Sequence, residues 1–177
     1  NAVAAAPSVA SAASSHLILW QDTQGNKVGI HGATLTQAAV GAPVPYQKGT
    51  SCGGASPALS SGALGYVIAW SAPNCDGDVS VQLLDGTGAK QSNAGVVSVS
   101  GVMETEPALA AGTSNYLAAW QSHGGGRYNI HVRSFNPFGA PLGTGSITLT
   151  QNFTFFVENT DTAIGSANDQ FMVAWTR

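Results

Sequence analysis

Apolar residues come in short runs of four or five, separated by Gly, Ser, Thr, Asn and Asp. Four of these runs close on a tryptophan: His16-Leu-Ile-Leu-Trp20, Tyr66-Val-Ile-Ala-Trp70, Tyr116-Leu-Ala-Ala-Trp120 and Phe171-Met-Val-Ala-Trp175. The tryptophans are spaced by 50, 50 and 55 residues, and 13 residues before each stands Pro7, Pro57, Pro107 or Thr162. The match continues downstream in Ile30-His-Gly-Ala-Thr-Leu35, Val79-Ser-Val-Gln-Leu-Leu84 and Ile130-His-Val-Arg-Ser-Phe135. Features that stay in phase along the whole chain define a repeat. No window sustains a 3.6-residue period, so helix is not expected.

Each unit reads as four short strands. In the third copy these are expected at 108–111, 116–120, 128–135 and 146–150, separated by turn-forming clusters. Units of about 50 residues with four strands fit blades of a β-propeller. The first strand of every unit is small (Ala108-Leu-Ala-Ala111, for example), as needed where strands converge on an axis. The second is apolar on both faces, as for a strand packed between neighbouring sheets. A β-sandwich does not explain the period. The reading is therefore an all-β, propeller-like array of four-stranded antiparallel blades, about three and a half repeats. Blade 1 spans 7–52, blade 2 57–102, blade 3 107–151 and a half blade 162–177.

These residues resemble secreted bacterial propeller repeats of the form Y-L-V-A-W, a Gly-rich turn, I-x-x-x-x-F, then N-x-x-G-x-x-L-G. Copy three matches almost throughout, with Tyr116 to Trp120, Ile130 to Phe135 and Asn136-Pro-Phe-Gly-Ala-Pro-Leu-Gly143. Copy two keeps Asp85-Gly-Thr-Gly88. The resemblance implies architecture and a secreted or cell-surface location, and carries no catalytic residue.

Composition narrows the classes further. Charged residues make up 8% of the chain against roughly 25% in an ordinary domain. Six Lys and Arg at a net charge of −3 cannot neutralise a phosphate backbone, so a nucleic-acid partner is excluded. A 44% hydrophobic content with 14 aromatics argues against charge-driven disorder, and no run is long enough for a membrane span.

The repeat sorts loops onto two faces. Seven of the nine acids (Asp22, Asp76, Asp78, Glu104, Glu106, Glu158, Asp161) fall in loops of one face, called upper here, and Asp85 and Asp169 on the other. Asp76, Asp78, Glu104, Glu106, His123 and Tyr128 are the candidate ligand-binding residues on that rim. Asn74-Cys-Asp-Gly-Asp78 has oxygen ligands at alternate positions, a weak calcium signature without the bidentate Glu of an EF-type loop; otherwise no cofactor or metal is expected. His31 and His131 share one slot of the repeat, read as a structural hydrogen bond. Cys52 and Cys75 lie on the upper face of the second blade. In a repeat that resembles secreted proteins, a disulfide between them would close about 24 residues and add around 3 kcal/mol. Phe153, Phe155 and Phe156 stand in the five-residue insertion before the fourth copy; with Phe171 and Trp175 they are the candidate interface.

The fourth copy supplies two strands only, leaving an apolar edge that a neighbour is expected to cover. The partner inferred is a second copy, in a closed dimer or a head-to-tail filament, unless the missing strands belong to a longer chain of which this is a fragment. No catalytic motif is present, so the chain reads as a secreted, non-catalytic, multivalent binding module for glycans or a cell surface. The alternative is a self-assembling structural subunit, with a hydrolase or lyase third.

Overall fold

Each apolar run becomes a strand because its neighbours in sequence are turn formers and its two faces are both apolar. In the computed structural model, described here for residues 2–12, 14–50, 53–72, 77–91, 95–97, 101–150 and 160–177, 14 strands form four separate sheets. The first sheet orders β1 (Ala2–Ala12), β2 (Ser15–Gln24), β3 (Lys27–Leu35) and β4 (Val44–Thr50). The second orders β5 (Ala55–Gly62), β6 (Gly65–Ser71), β7 (Val79–Leu84) and β8 (Gly95–Val96). The third holds β9 (Met103–Ala111), β10 (Tyr116–Gly124), β11 (Arg127–Phe135) and β12 (Pro141–Thr148). A hairpin of β13 (Thr160–Ala167) and β14 (Gln170–Thr176) makes the half sheet. All pairings are antiparallel between chain neighbours, the up-and-down order of a propeller blade. No helix long and apolar enough to cross a membrane occurs among the described residues.

The core lies between blades and not inside any one of them. Leu17, Leu19, Ile30 and Tyr46 of blade 1 pack with Leu59, Tyr66, Ile68 and Trp70 of blade 2. Val67, Ala69, Val81 and Leu83 then meet Leu109, Tyr116, Ala118 and Trp120 of blade 3. Leu117, Ala119 and Val132 meet Ile164, Phe171 and Val173 of the half blade. Alternation along the second strands explains this: one residue set faces the preceding blade, and its neighbours face the following one. Polar groups fasten the same seams. Ser15 Oγ and Tyr66 Oη lie 2.8 Å apart across blades 1 and 2. Asp169, in the β13–β14 turn, accepts from the backbone amides and hydroxyls of Thr113 and Ser114 in blade 3.

The first strands neighbour one another in series, β1 against β5, β5 against β9 and β9 against β13. They are longer than expected. Strand β9 starts at Met103 where the sequence pattern predicts 108, because a proline reads as a break. Each strand instead runs through its proline on a bulge. Register slips between Ala5 and Ser8, Ala55 and Ala58, and Thr160 and Ala163, and in blade 3 across from Ala119 and Gln121. A bulge needs no ladder hydrogen bond from its extra residue, which is where proline is tolerated. Residues 2–5, outside the 7–52 span expected for blade 1, are the front half of β1 and pair with Gln21 to Gln24.

The tryptophans divide by seam. Trp120 is fully buried and Trp70 is 4% exposed, whereas Trp175 is 38% exposed. Replacing Trp120 by Ala is expected to cost about 3–5 kcal/mol in urea unfolding, and Trp175→Ala far less. Equal losses would contradict the placement of the core in the seams.

Candidate functional site

At the bulge, one residue per repeat takes a left-handed backbone: Ala6 (φ 50°), Ser56 (φ 51°), Glu106 (φ 52°) and Asp161 (φ 53°). Each immediately precedes Pro7, Pro57, Pro107 or Thr162. Such a conformation costs a non-glycine residue of order 1–3 kcal/mol and persists where the surroundings enforce it. The enforcement is visible in the residue after three of the tryptophans. Gln21 Oε1 accepts the Ser56 amide at 3.2 Å, Ser71 Oγ donates to the Ala55 carbonyl at 3.2 Å, and Thr105 Oγ1 donates to Gln121 Oε1 at 3.3 Å.

All four left-handed residues line one cavity of about 480 Å³, together with the prolines and the small residues that follow. The cavity sits where the first strands of the four sheets converge, on the axis. Its wall is Ala6 and Ser56 on one side, and two carboxylates, Glu106 and Asp161, in adjacent blades on the other. Thr160 Oγ1 donates to Asp161 Oδ2 at 3.0 Å. Two carboxylates lining one wide-mouthed cavity can divide general-acid and general-base work.

The candidate rim residues separate. Glu106 lines the axial cavity. Glu104, two residues earlier, is buried, and its backbone amide donates to the Gly77 carbonyl at 2.7 Å in the blade 2–3 seam. Asp78 lies beside it, with its carbonyl accepting from the Ala72 amide. His123 and Tyr128 pair across the β10–β11 hairpin and stack at 4.2 Å, away from the cavity. Phe171 packs within the blade 3–4 seam. Asp76, Cys52, Cys75, Phe153, Phe155 and Phe156 lie outside the described residues. Among the described residues no three His, Cys, Asp or Glu side chains converge as a cation cage.

Asp161 is one of the upper-face acids but not one of the candidate ligand-binding residues that the sequence marks. Aligning it with Glu106 as the residue before the repeat's proline position finds it, even though threonine replaces proline there.

The shared histidine slot is structural. His31 and His131 stand opposite Trp20 and Trp120. His131 stacks on Trp120 with centroids 6.0 Å apart and lies 3.3 Å from Thr148 Oγ1. His31 Nδ1 is 3.8 Å from Asp22 Oδ2. Blade 2 has Ser80 in the slot. It also lacks an acid at Gly54 and Ala72, the positions matching Glu104 and Asp22, so the acid comes with the histidine. Burial lowers the His131 pKa below the usual value, and the Glu104 charge opposes that shift.

Comparison with solved structures gives the fold. The GH43 endo-arabinanase from Bacillus licheniformis superposes with a TM-score of 0.60 at 12% identity, over 97% of this chain and 73% of that one. The α-L-arabinanase from Cellvibrio cellulosa, solved with arabinohexaose, gives 0.56 at 10% identity, over 97% and 68%. Both are five-bladed β-propellers, and the chain shares their propeller-type fold. No family model matches the sequence, and no curated protein sequence matches it. The expectation of a non-catalytic binding module, with a self-assembling subunit as the alternative and a hydrolase or lyase only third, is contradicted: the two solved structures matched here are arabinanases.

A depressed histidine pKa means the unfolded chain binds the proton more readily. The His131 contribution is therefore complete above about pH 6.5 and lost as pH falls below it. Urea unfolding at pH 5 and pH 7.5 is expected to differ less in His131→Ser than in the wild type. An unchanged pH dependence would remove His131 from the account.

Proposed function

We propose that the chain is a carbohydrate-active hydrolase acting at the axial cavity, with Glu106 and Asp161 as its carboxylate pair. The observation that carries this is their equivalence. They occupy the same left-handed bulge position in adjacent blades and line the same cavity, while Ala6 and Ser56 leave the opposite wall open for a ligand. One carboxyl group can protonate the leaving oxygen of a glycosidic bond while the other activates water or attacks the sugar. The fold neighbours, named as arabinanases, support a polysaccharide substrate, and arabinan is the first to try. A secreted or cell-surface location fits a polymeric substrate. The test is release of reducing sugar from arabinan and a panel of other polysaccharides. Glu106→Gln and Asp161→Asn are each expected to lower the rate by about a hundredfold or more while leaving the melting temperature near wild type. No release from any polysaccharide, or variants as active as wild type, would overturn the proposal.

Self-association belongs to the same proposal, with a second copy as the occupant of the open blade faces. Val9 and Ile18 lie opposite each other on the face of blade 1 that, in blades 2 and 3, is buried against the preceding blade. Val9 is 66% exposed there, and Met172, on the far face of the half blade, is 75% exposed. These faces carry the two complementary halves of the seam that repeats within the chain. Light scattering is expected to give the mass of two or more chains, reduced by Ile18→Asp. A monomer at every concentration would contradict this part.

A further inference from the structure

The propeller builds the same cleft twice on its outer rim, once between blades 1 and 2 and once between blades 2 and 3. In both, the turn joining the third and fourth strands of one blade leans on the third and fourth strands of the blade before. The two turns are identical in construction. Asp85 Oδ1 accepts from the amides of Thr87 and Ala89 at 2.8 and 2.9 Å, and Asn136 Oδ1 accepts from those of Phe138 and Ala140 at 3.0 and 2.9 Å. Gly88 (φ 84°) and Gly139 (φ 81°) follow at the same left-handed position, which a β-carbon would disfavour.

Identical scaffolding makes the differences in lining informative. Between blades 2 and 3 the wall includes Leu83, Val97, Phe138 and Pro141, and the cleft closes to about 140 Å³. Between blades 1 and 2 the matching positions are Thr34, Tyr46, Thr87 and Lys90, and it opens to about 340 Å³, within the range of small-ligand pockets. Every one of those four differences replaces an apolar side chain with one carrying a hydroxyl or an ammonium.

The polar groups are held in place. Lys90 Nζ donates to the Tyr46 carbonyl at 2.8 Å, leaving its other two N–H bonds, and Tyr46 Oη donates to the Gly88 carbonyl at 2.8 Å. Burial, with the Asp85 charge second, pushes the Tyr46 phenol up to about 12, so it remains a donor. The cross-blade tie alone does not require Lys90 in the cleft. Between blades 2 and 3 the matching carbonyl, that of Val97, is held by Arg133 Nη1 at 2.8 Å, and Arg133 does not line that cleft. The nearby Asp85 carboxylate is turned onto its own loop by three hydrogen bonds, and these hold its pKa below the usual value.

We infer that the cleft between blades 1 and 2 is a second ligand site, which takes a sugar bearing a carboxylate, with the acid group on Lys90 and ring hydroxyls on Thr34 and Thr87. It stands independently of the axial site and shares no residue with it. The test is a titration of the labelled protein with glucuronate and with glucose, followed by amide NMR shifts. Glucuronate is expected to shift Thr34, Thr87, Gly88 and Lys90 at least several times more strongly than glucose. Lys90→Gln is expected to weaken its binding by roughly tenfold, the loss of one charge-assisted hydrogen bond. Thr87→Val, which leaves the Lys90 tie intact, should weaken glucuronate too, and Glu106→Gln should not. No shifts at this turn, equal shifts with the two sugars, or unchanged binding in both Lys90→Gln and Thr87→Val would each overturn the site.

Discussion

No blade of this protein can bury its own faces, and that constraint organises everything else. A four-stranded sheet with apolar residues on both sides must find a neighbour on each. Here the neighbour is the next copy of the same sheet, through seams filled by alternating residues of the second strand. The scarcity of charge follows from this geometry, because the strands have little solvated surface on which to carry it. So does the fixed register of the tryptophans, which sets Trp70 and Trp120 each against the blade before its own.

Packing sheets radially brings their first strands together, and small residues let them approach. The bulge at each proline then does something a regular strand cannot. It takes one residue per blade out of the alternation and sets it against the axial cavity. Four such residues in the same strained conformation form a ring of equivalent positions whose chemistry the sequence varies, from Ala6 and Ser56 to Glu106 and Asp161. The outer rim follows the same logic with a different device, a fixed turn whose matching positions are Thr87 and Lys90 in one blade and Phe138 and Pro141 in the next. In both places a repeated backbone supplies geometry and point differences supply the chemistry of the lining.

Much of the fold was legible because it is written as periodicity. The spacing of Trp20, Trp70, Trp120 and Trp175, the small first strands and the turn motifs predict propeller-like sheets, and the order of strands follows. The bulges were not legible. A proline reads as a strand boundary, and nothing local says that the residue before it turns left-handed so that the strand runs on. That one misreading shortened every first strand and left residues 2–5 apparently unused. It also hid the site. Glu106 was singled out as a rim acid, but its partnership with Asp161 depends on knowing that the position before the proline faces the axis. Glu104 shows the reverse error, since a carboxylate in an apparent loop lies buried in a seam, near enough for its charge to act on His131. The absence of a linear catalytic motif says little in a fold that gathers side chains from one repeat position in different blades, as it gathers Glu106 and Asp161 at one cavity.

The central claim is that the axial cavity, and not the rim, holds the substrate. A crystal structure of the Glu106→Gln variant soaked with an oligosaccharide that the wild type cleaves tests it most directly. The account predicts sugar density across the axis, in contact with Ser56 and Asp161. Sugar bound only elsewhere, with the cavity between the four bulges empty, would contradict it.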